Sequence, residues 1–125
     1  MAKADYDFRI NPERAIYIVG EFDDELLKAL IPRITELRFG SDEPISIVIN
    51  SRGGSTDCLD SIKAALCVHG PDGTQSRVIT FVTGFAASAG ATLLTLGDYA
   101  IAAPGAWLHF HGIRAPYGSF TDGRA

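Results

Sequence analysis

The sequence predicts an α/β domain whose mainly parallel sheet is flanked by helices. Short apolar runs rich in β-branched residues recur along the chain, and segments with helical apolar spacing lie between them. Glycine, proline and polar turn residues mark the borders. Apolar strands that alternate with helices are the pattern of a parallel sheet, because each parallel connection needs a crossover that covers the sheet.

The elements follow in order. Ala15 to Val19 reads Ala-Ile-Tyr-Ile-Val, a buried strand closed by Gly20. Asp23 or Asp24 then caps a helix in which Leu26, Leu27, Leu30, Ile31, Ile34 and Leu37 recur at helical spacing, ended by Gly40. Pro32 lies inside that pattern and predicts a kink or a break. Pro44 opens a second strand, Ile45 to Ile49, and the pair Gly53-Gly54 follows as a loop. A second helix runs from about Ser55 to Val68, capped by Ser55 or Thr56, with Leu59, Ile62 and Leu66 on one face. His69 to Ser76 is turn-rich, Val78 to Val82 is the third strand, and Ser88 to Leu96 is the third helix, with Gly97 as its C′ residue. Tyr99 to Ala103 and Trp107 to His111 are two further strands, separated by a turn at Pro104-Gly105. One domain is expected over residues 1–125, with 1–12 and 115–125 flexible.

Composition removes several classes of function. Among 125 residues, 46% are hydrophobic and 21% charged, which predicts a packed globule rather than a disordered chain. The net charge of -4 argues against nucleic acid or an anionic membrane as partner. No apolar run is long enough to span a bilayer, and residues 1–6 lack the apolar core of a signal peptide, so a cytoplasmic location is expected. Cys58 and Cys67 lie nine residues apart on one predicted helix, about 13 Å along its axis, too far for a disulfide. They match no metal-binding spacing either, and no cofactor is expected.

Ser88 is the first candidate for chemistry. It sits in Gly84-Phe85-Ala86-Ala87-Ser88-Ala89-Gly90-Ala91, at a predicted strand-to-helix junction among residues with little side chain. A serine there has its hydroxyl near the positive end of a helix, and the N–H of Ala89 has no intrahelical partner. The nucleophile-elbow pattern is not met in full, since Ala86 stands where its first glycine would be. The bland alternative is a small residue that lets a helix pack closely. Gly53 is the second candidate: its missing Cβ admits a substrate backbone, and its N–H can face a developing oxyanion. The alternative is a turn before a helix; a phosphate cradle is a third, weak option, since the Gly-Lys-Ser/Thr signature is missing. In a parallel sheet the C-terminal strand ends gather functional groups, and both motifs fall there.

His109 and His111 are two apart on a predicted strand and share a face. As a metal pair they lack further ligands, because His69 is in a remote loop, and so metal binding is not expected. Histidine is the usual general base for a serine nucleophile, so either imidazole is a candidate base for Ser88. A carboxylate usually orients such an imidazole. Asp122 is the one acidic residue after His111, and Asp98 and earlier acids remain alternatives.

Four stretches in this order, 14–20, 49–55, 84–91 and 104–111, resemble the proteolytic subunit of Clp protease (ClpP) and its wider ClpP/crotonase-like superfamily, whose fold is built of repeated β-β-α units. The resemblance implies a serine endopeptidase that hydrolyses unfolded polypeptides, with Ser88 as nucleophile and the Gly53 and Ala89 amides as oxyanion hole. The family's interval from proline to histidine, carried from Pro104, lands on His111 as base, with His109 as the fallback and Asp122 as a possible acid. A ring-type homo-oligomer and an AAA+ unfoldase partner are also implied. The sequence departs from the family pattern at Arg52, usually proline, and at Phe85, usually polar. It stops about where the family's handle helix begins, ahead of the triad aspartate.

Two other readings stand beside this one. The absent acid supports a catalytically incomplete assembly subunit. The run from Gly97 to Gly105 resembles signal-peptide-peptidase-like serine–lysine enzymes, for which Lys3, Lys28 and Lys63 are the lysines available.

Overall fold

A computed structural model describes residues 10–68, 73 and 76–110. After a short 3-10 turn at Pro12–Arg14, the chain runs β1 (Ala15–Phe22), α1 (Asp24–Gly40), β2 (Ile45–Gly54), α2 (Thr56–Leu66), β3 (Val78–Ala87), α3 (Ala89–Thr95), β4 (Tyr99–Ala102) and β5 (Trp107–His109). All strand pairings are parallel, in the order β1-β2-β3-β4, with β5 also on β3. β4 pairs with residues 79–82 of β3 and β5 with residues 85–87. The two therefore run one after the other along a single edge, with Pro104-Gly105 between them.

A sheet whose strands succeed one another in one direction, joined by crossovers of one hand, receives all its helices on one face. Here the main core lies on that face. Ile16 and Ile18 of β1 and Ile47 and Ile49 of β2 pack there under Ile34 of α1, Ile62 of α2 and Leu93 of α3. Each fully buried side chain of this size contributes about 1.5–3 kcal/mol. The opposite face carries a smaller cluster, Val48, Ile79 and Phe81, flanked by Tyr99 and Ile101.

The helix caps follow their sequence signals. The Asp23 carboxylate accepts from the Leu26 N–H at 2.9 Å, and the Ser55 hydroxyl accepts from the Cys58 N–H at 3.2 Å. The predicted break at Pro32 does not occur, and α1 is continuous through it. Pro32 lies on the exposed side, where water can serve the carbonyl it leaves without a donor, while buried Leu30, Ile34 and Leu37 hold the helix on the core on either side. Cys58 is buried and Cys67 exposed, and neither forms a disulfide among the described residues.

Three strands run further than expected, and glycine is the reason. β1 passes through Gly20, β2 through Gly53-Gly54 and β3 through Gly84. The ladder shifts register between Val19 and Glu21 and again between Ile49 and Ser51. Gly20, at φ 98°, belongs to the first irregularity. The glycines that read as terminators are bends inside paired strands. Gly97 follows α3 as predicted, but for a steric reason: a Cβ there would lie 2.7 Å from the Thr80 hydroxyl oxygen.

At the N-terminal end of the sheet two arginines are buried. Arg14, 8% exposed, donates through Nη2 to the carbonyls of Ser41 (3.1 Å) and Glu43 (2.8 Å) and through Nε to Pro44 (3.2 Å). Arg38, 4% exposed, donates to the Ser76 carbonyl at 3.2 Å, and the Ser76 hydroxyl accepts from Arg14 at 3.3 Å. Burial is the largest influence on both guanidinium groups and pulls their pKa down from the ordinary value.

Candidate active site

Ser88 stands between the end of β3 and the start of α3, half-buried. Its backbone is at φ 55°, ψ -119°, and it is the one non-glycine residue with positive φ among the described residues. A residue with a Cβ is strained there by about 1–3 kcal/mol, so the surroundings must enforce the conformation. They do so from both sides. The Ser88 N–H donates to the His109 carbonyl at 3.0 Å, and the Ser88 carbonyl accepts from the Thr92 N–H at 3.0 Å. Its side chain makes no capping bond to α3, so the hydroxyl is not spent on the helix.

The small residues around Ser88 are required by contact. A Cβ on Gly53 would lie 2.7 Å from the Ser88 Cβ and 3.1 Å from the Ala89 nitrogen. A Cβ on Gly90 would lie 3.0 Å from the Ser51 carbonyl oxygen. Gly53 of β2, Ser88 and the Ala89 amide therefore converge on one small volume. Gly53 and Gly54 have φ 109° and 146°, and both belong to the left-handed region that favours glycine. The Gly53 N–H donates to the buried Ser51 hydroxyl at 3.0 Å. Its service as an oxyanion donor requires that bond to be shared or released.

The strand ends are coupled by contacts that no local sequence signal marks. Asn50 Oδ1 accepts from the Phe85 N–H at 3.2 Å, bridging β2 and β3 where their register shifts, and Gly84 leaves room for it. The guanidinium carbon of Arg52 lies 4.4 Å from the centre of the Phe85 ring, and that ring stacks on Trp107 at 5.7 Å and 24°. A cleft of about 540 Å³ opens beside the glycine pair, with Gly20, Glu21, Asn50, Arg52 and Phe85 among its walls.

Of the histidines, His109 lies on β5 with its backbone beside Ser88, while His111 and Asp122 lie outside the described residues. Asp98 is not brought to Ser88. Its carboxylate accepts from the Val78 N–H at 2.7 Å, at the far end of β3, about 30 Å of extended chain away. Of the lysines of the serine–lysine reading, Lys3 lies outside the described residues, and Lys28 and Lys63 are elsewhere. Lys28 sits on exposed α1 beside Glu25 at 3.6 Å, and Lys63 lies on α2 beside a second cavity of about 230 Å³ that includes Arg38 and Asp98. No helix among the described residues is long and apolar enough to cross a membrane.

Comparison with known proteins gives a consistent result. Residues 2–119 match the Clp protease family. The ATP-dependent Clp protease proteolytic subunit 2 of Streptomyces avermitilis is 35% identical over 91 residues, 72% of this chain and 43% of the relative. The ATP-dependent Clp protease proteolytic subunit 3 of Rhizobium johnstonii is 35% identical over 80 residues, 64% of this chain and 39% of the relative. The chain thus spans about two-fifths of the length of these curated relatives. Among solved structures, a ClpP1 mutant from Listeria monocytogenes superposes with a TM-score of 0.72 at 26% identity, covering 85% of this chain and 60% of that one. The ClpP protease catalytic domain from Plasmodium falciparum gives 0.70 at 24% identity over 80% of this chain and 56% of that one, a likeness of fold.

Proposed function

The chain belongs to the Clp protease family, and from that premise we propose that it is a serine endopeptidase whose nucleophile is Ser88. His111 takes the hydroxyl proton as Ser88 attacks the peptide carbonyl, then passes it to the leaving amine; His109 is the fallback base and Asp122 the candidate acid. The Gly53 and Ala89 amides stabilise the tetrahedral oxyanion, each such donor being worth about 3 kcal/mol of barrier. The substrate is unfolded polypeptide. A ring of identical subunits, an AAA+ unfoldase that feeds it and a cytoplasmic location belong to the same proposal.

The observation that carries the reading is the backbone of Ser88. A serine held at φ 55° on a strand-to-helix turn, its hydroxyl making no capping bond, has the kind of sharp, strained turn on which acyl-transfer nucleophiles sit. A residue whose role was only to let a helix pack closely would not require that strain.

The test is hydrolysis of a fluorogenic peptide by the full chain and by Ser88→Ala and His111→Ala. Wild-type turnover with both variants at background supports the proposal. Turnover that survives Ser88→Ala overturns it. A second reading, an assembly subunit that does not turn over, is favoured by the Gly53 N–H being held by the Ser51 hydroxyl. It predicts equal, background rates for all three proteins.

A further inference from the structure

Three side chains distant in sequence form one column on the surface beside Ser88. Arg52 lies over one face of the Phe85 ring at 4.4 Å, and Phe85 stacks on Trp107 at 5.7 Å. Arg52 immediately precedes Gly53 on β2. Phe85 is three residues ahead of Ser88 on β3. Trp107 is two residues ahead of His109 and four ahead of His111 on the β5 segment. Each member of the column thus sits a few residues from one component of the proposed site.

We propose that the Arg52–Phe85–Trp107 column is a clamp that fixes the histidine-bearing segment against Ser88 and the glycine pair. The inference rests on the endopeptidase reading and goes one step further, by assigning positioning residues to it. β5 needs such a device. It is three residues long, pairs among the described residues only with β3, and follows the turn at Pro104-Gly105 that interrupts the edge. A ladder that short leaves the segment free to peel or slide, and a slide of one residue would turn its side chains to the other face. Phe85 and Trp107 are direct register partners, so their stack opposes that slide.

The column is itself anchored. The Phe85 N–H is held by Asn50 of β2 at 3.2 Å, and the Ser88 N–H is held by the His109 carbonyl at 3.0 Å. Arg52 packs over the Phe85 ring through its cation–π contact, which joins β2 to the column. Trp107 remains 54% exposed, so its ring is arranged against Phe85 rather than buried in a core.

The experiment compares the full chain with Phe85→Leu, Phe85→Tyr and Arg52→Ala. It reads peptide-hydrolysis kcat and KM, the pH profile of kcat/KM, and the rate of labelling by a fluorophosphonate. The emission of Trp107, the single tryptophan, reports the column directly. Phe85→Leu is expected to change Trp107 emission, lower kcat about tenfold with KM within twofold, and move the acid limb of the pH profile. Arg52→Ala has a smaller effect in the same direction, and Phe85→Tyr, which keeps the ring, returns kcat to within twofold of wild type. Trp107 emission that changes in Phe85→Leu while kcat and the pH profile stay as in wild type overturns the clamp and leaves the endopeptidase reading intact. So does a fall in rate that matches loss of folded protein and is no better in Phe85→Tyr. A wild-type chain that neither hydrolyses peptide nor takes the label overturns both.

Discussion

The two ends of the sheet are built on opposite principles. At the N-terminal end, Arg14 and Arg38 are buried and tie the loops around Ser41–Pro44 and Ser76 together through backbone carbonyls. At the C-terminal end one such bond, from the Phe85 N–H to Asn50 Oδ1, stands beside unusual backbone: Ser88 is strained at φ 55°, and Gly53 at 109° and Gly54 at 146° use conformations open to glycine. The register of β1–β2 and of β2–β3 shifts only toward this end, beyond Val19 and Ile49. The difference indicates that one end holds the fold together while the other uses part of that stability to keep small groups close and a hydroxyl presented.

Substitutions at the two ends test this contrast. The largest expected effect is on activity: Ser88→Ala lowers peptide hydrolysis by at least about 10³-fold, the loss usual for a nucleophile that acts as part of a unit, while the thermal midpoint holds or rises. Gly54→Ala comes next, and acts on folding. Its Cβ would collide with the Phe22 carbonyl oxygen at φ 146°, so a loss of about 3 kcal/mol or more is expected in urea unfolding. Arg14→Met leaves carbonyls at the opposite end without their donor and is expected to lower stability by about 2–3 kcal/mol. Activity per folded molecule should be unchanged in Arg14→Met; a specific loss of turnover there would erase the distinction between the ends.

The smallest effect is a pH dependence. Burial, then the charges of Asp23 and Asp24, pushes the Cys58 thiol up from its ordinary value of 9.0. Below that value the thiol is neutral in both folded and unfolded chain. Above it the unfolded chain ionises first, so stability falls as pH rises from about 9 toward the folded value, by at most about 1.4 kcal/mol per pH unit. Cys58→Ala should flatten that slope in denaturation series between pH 8 and pH 10.

What the sequence made legible follows from how local each signal is. The starts of β2, β3, β4 and β5 at Ile45, Val78, Tyr99 and Trp107 were readable because proline, polar and turn residues precede apolar runs. The strand ends were not, because Gly20, Gly53-Gly54 and Gly84 are ordinarily breakers, and only cross-strand register reveals them as bends within paired strands. Ser88 and Gly53 stood out because small residues cluster around them, and the structure brings those two together with Ala89. The roles of Arg14, Arg38 and Asn50 were illegible: their partners are backbone atoms 29, 38 and 35 residues away, which no local pattern encodes. Arg52 and Phe85 were visible as departures from the family pattern, but the column they form with Trp107 was not, since it spans three strands.

The central claim is that the hydroxyl of Ser88 is a nucleophile. The most direct measurement is to treat the full chain with a fluorophosphonate and locate the adduct by peptide mass spectrometry. The account predicts one phosphonylated serine at position 88, formed at a rate that falls as the histidine base is protonated, and no adduct in Ser88→Ala. An adduct on a different residue, or labelling of Ser88→Ala equal to wild type, would contradict it.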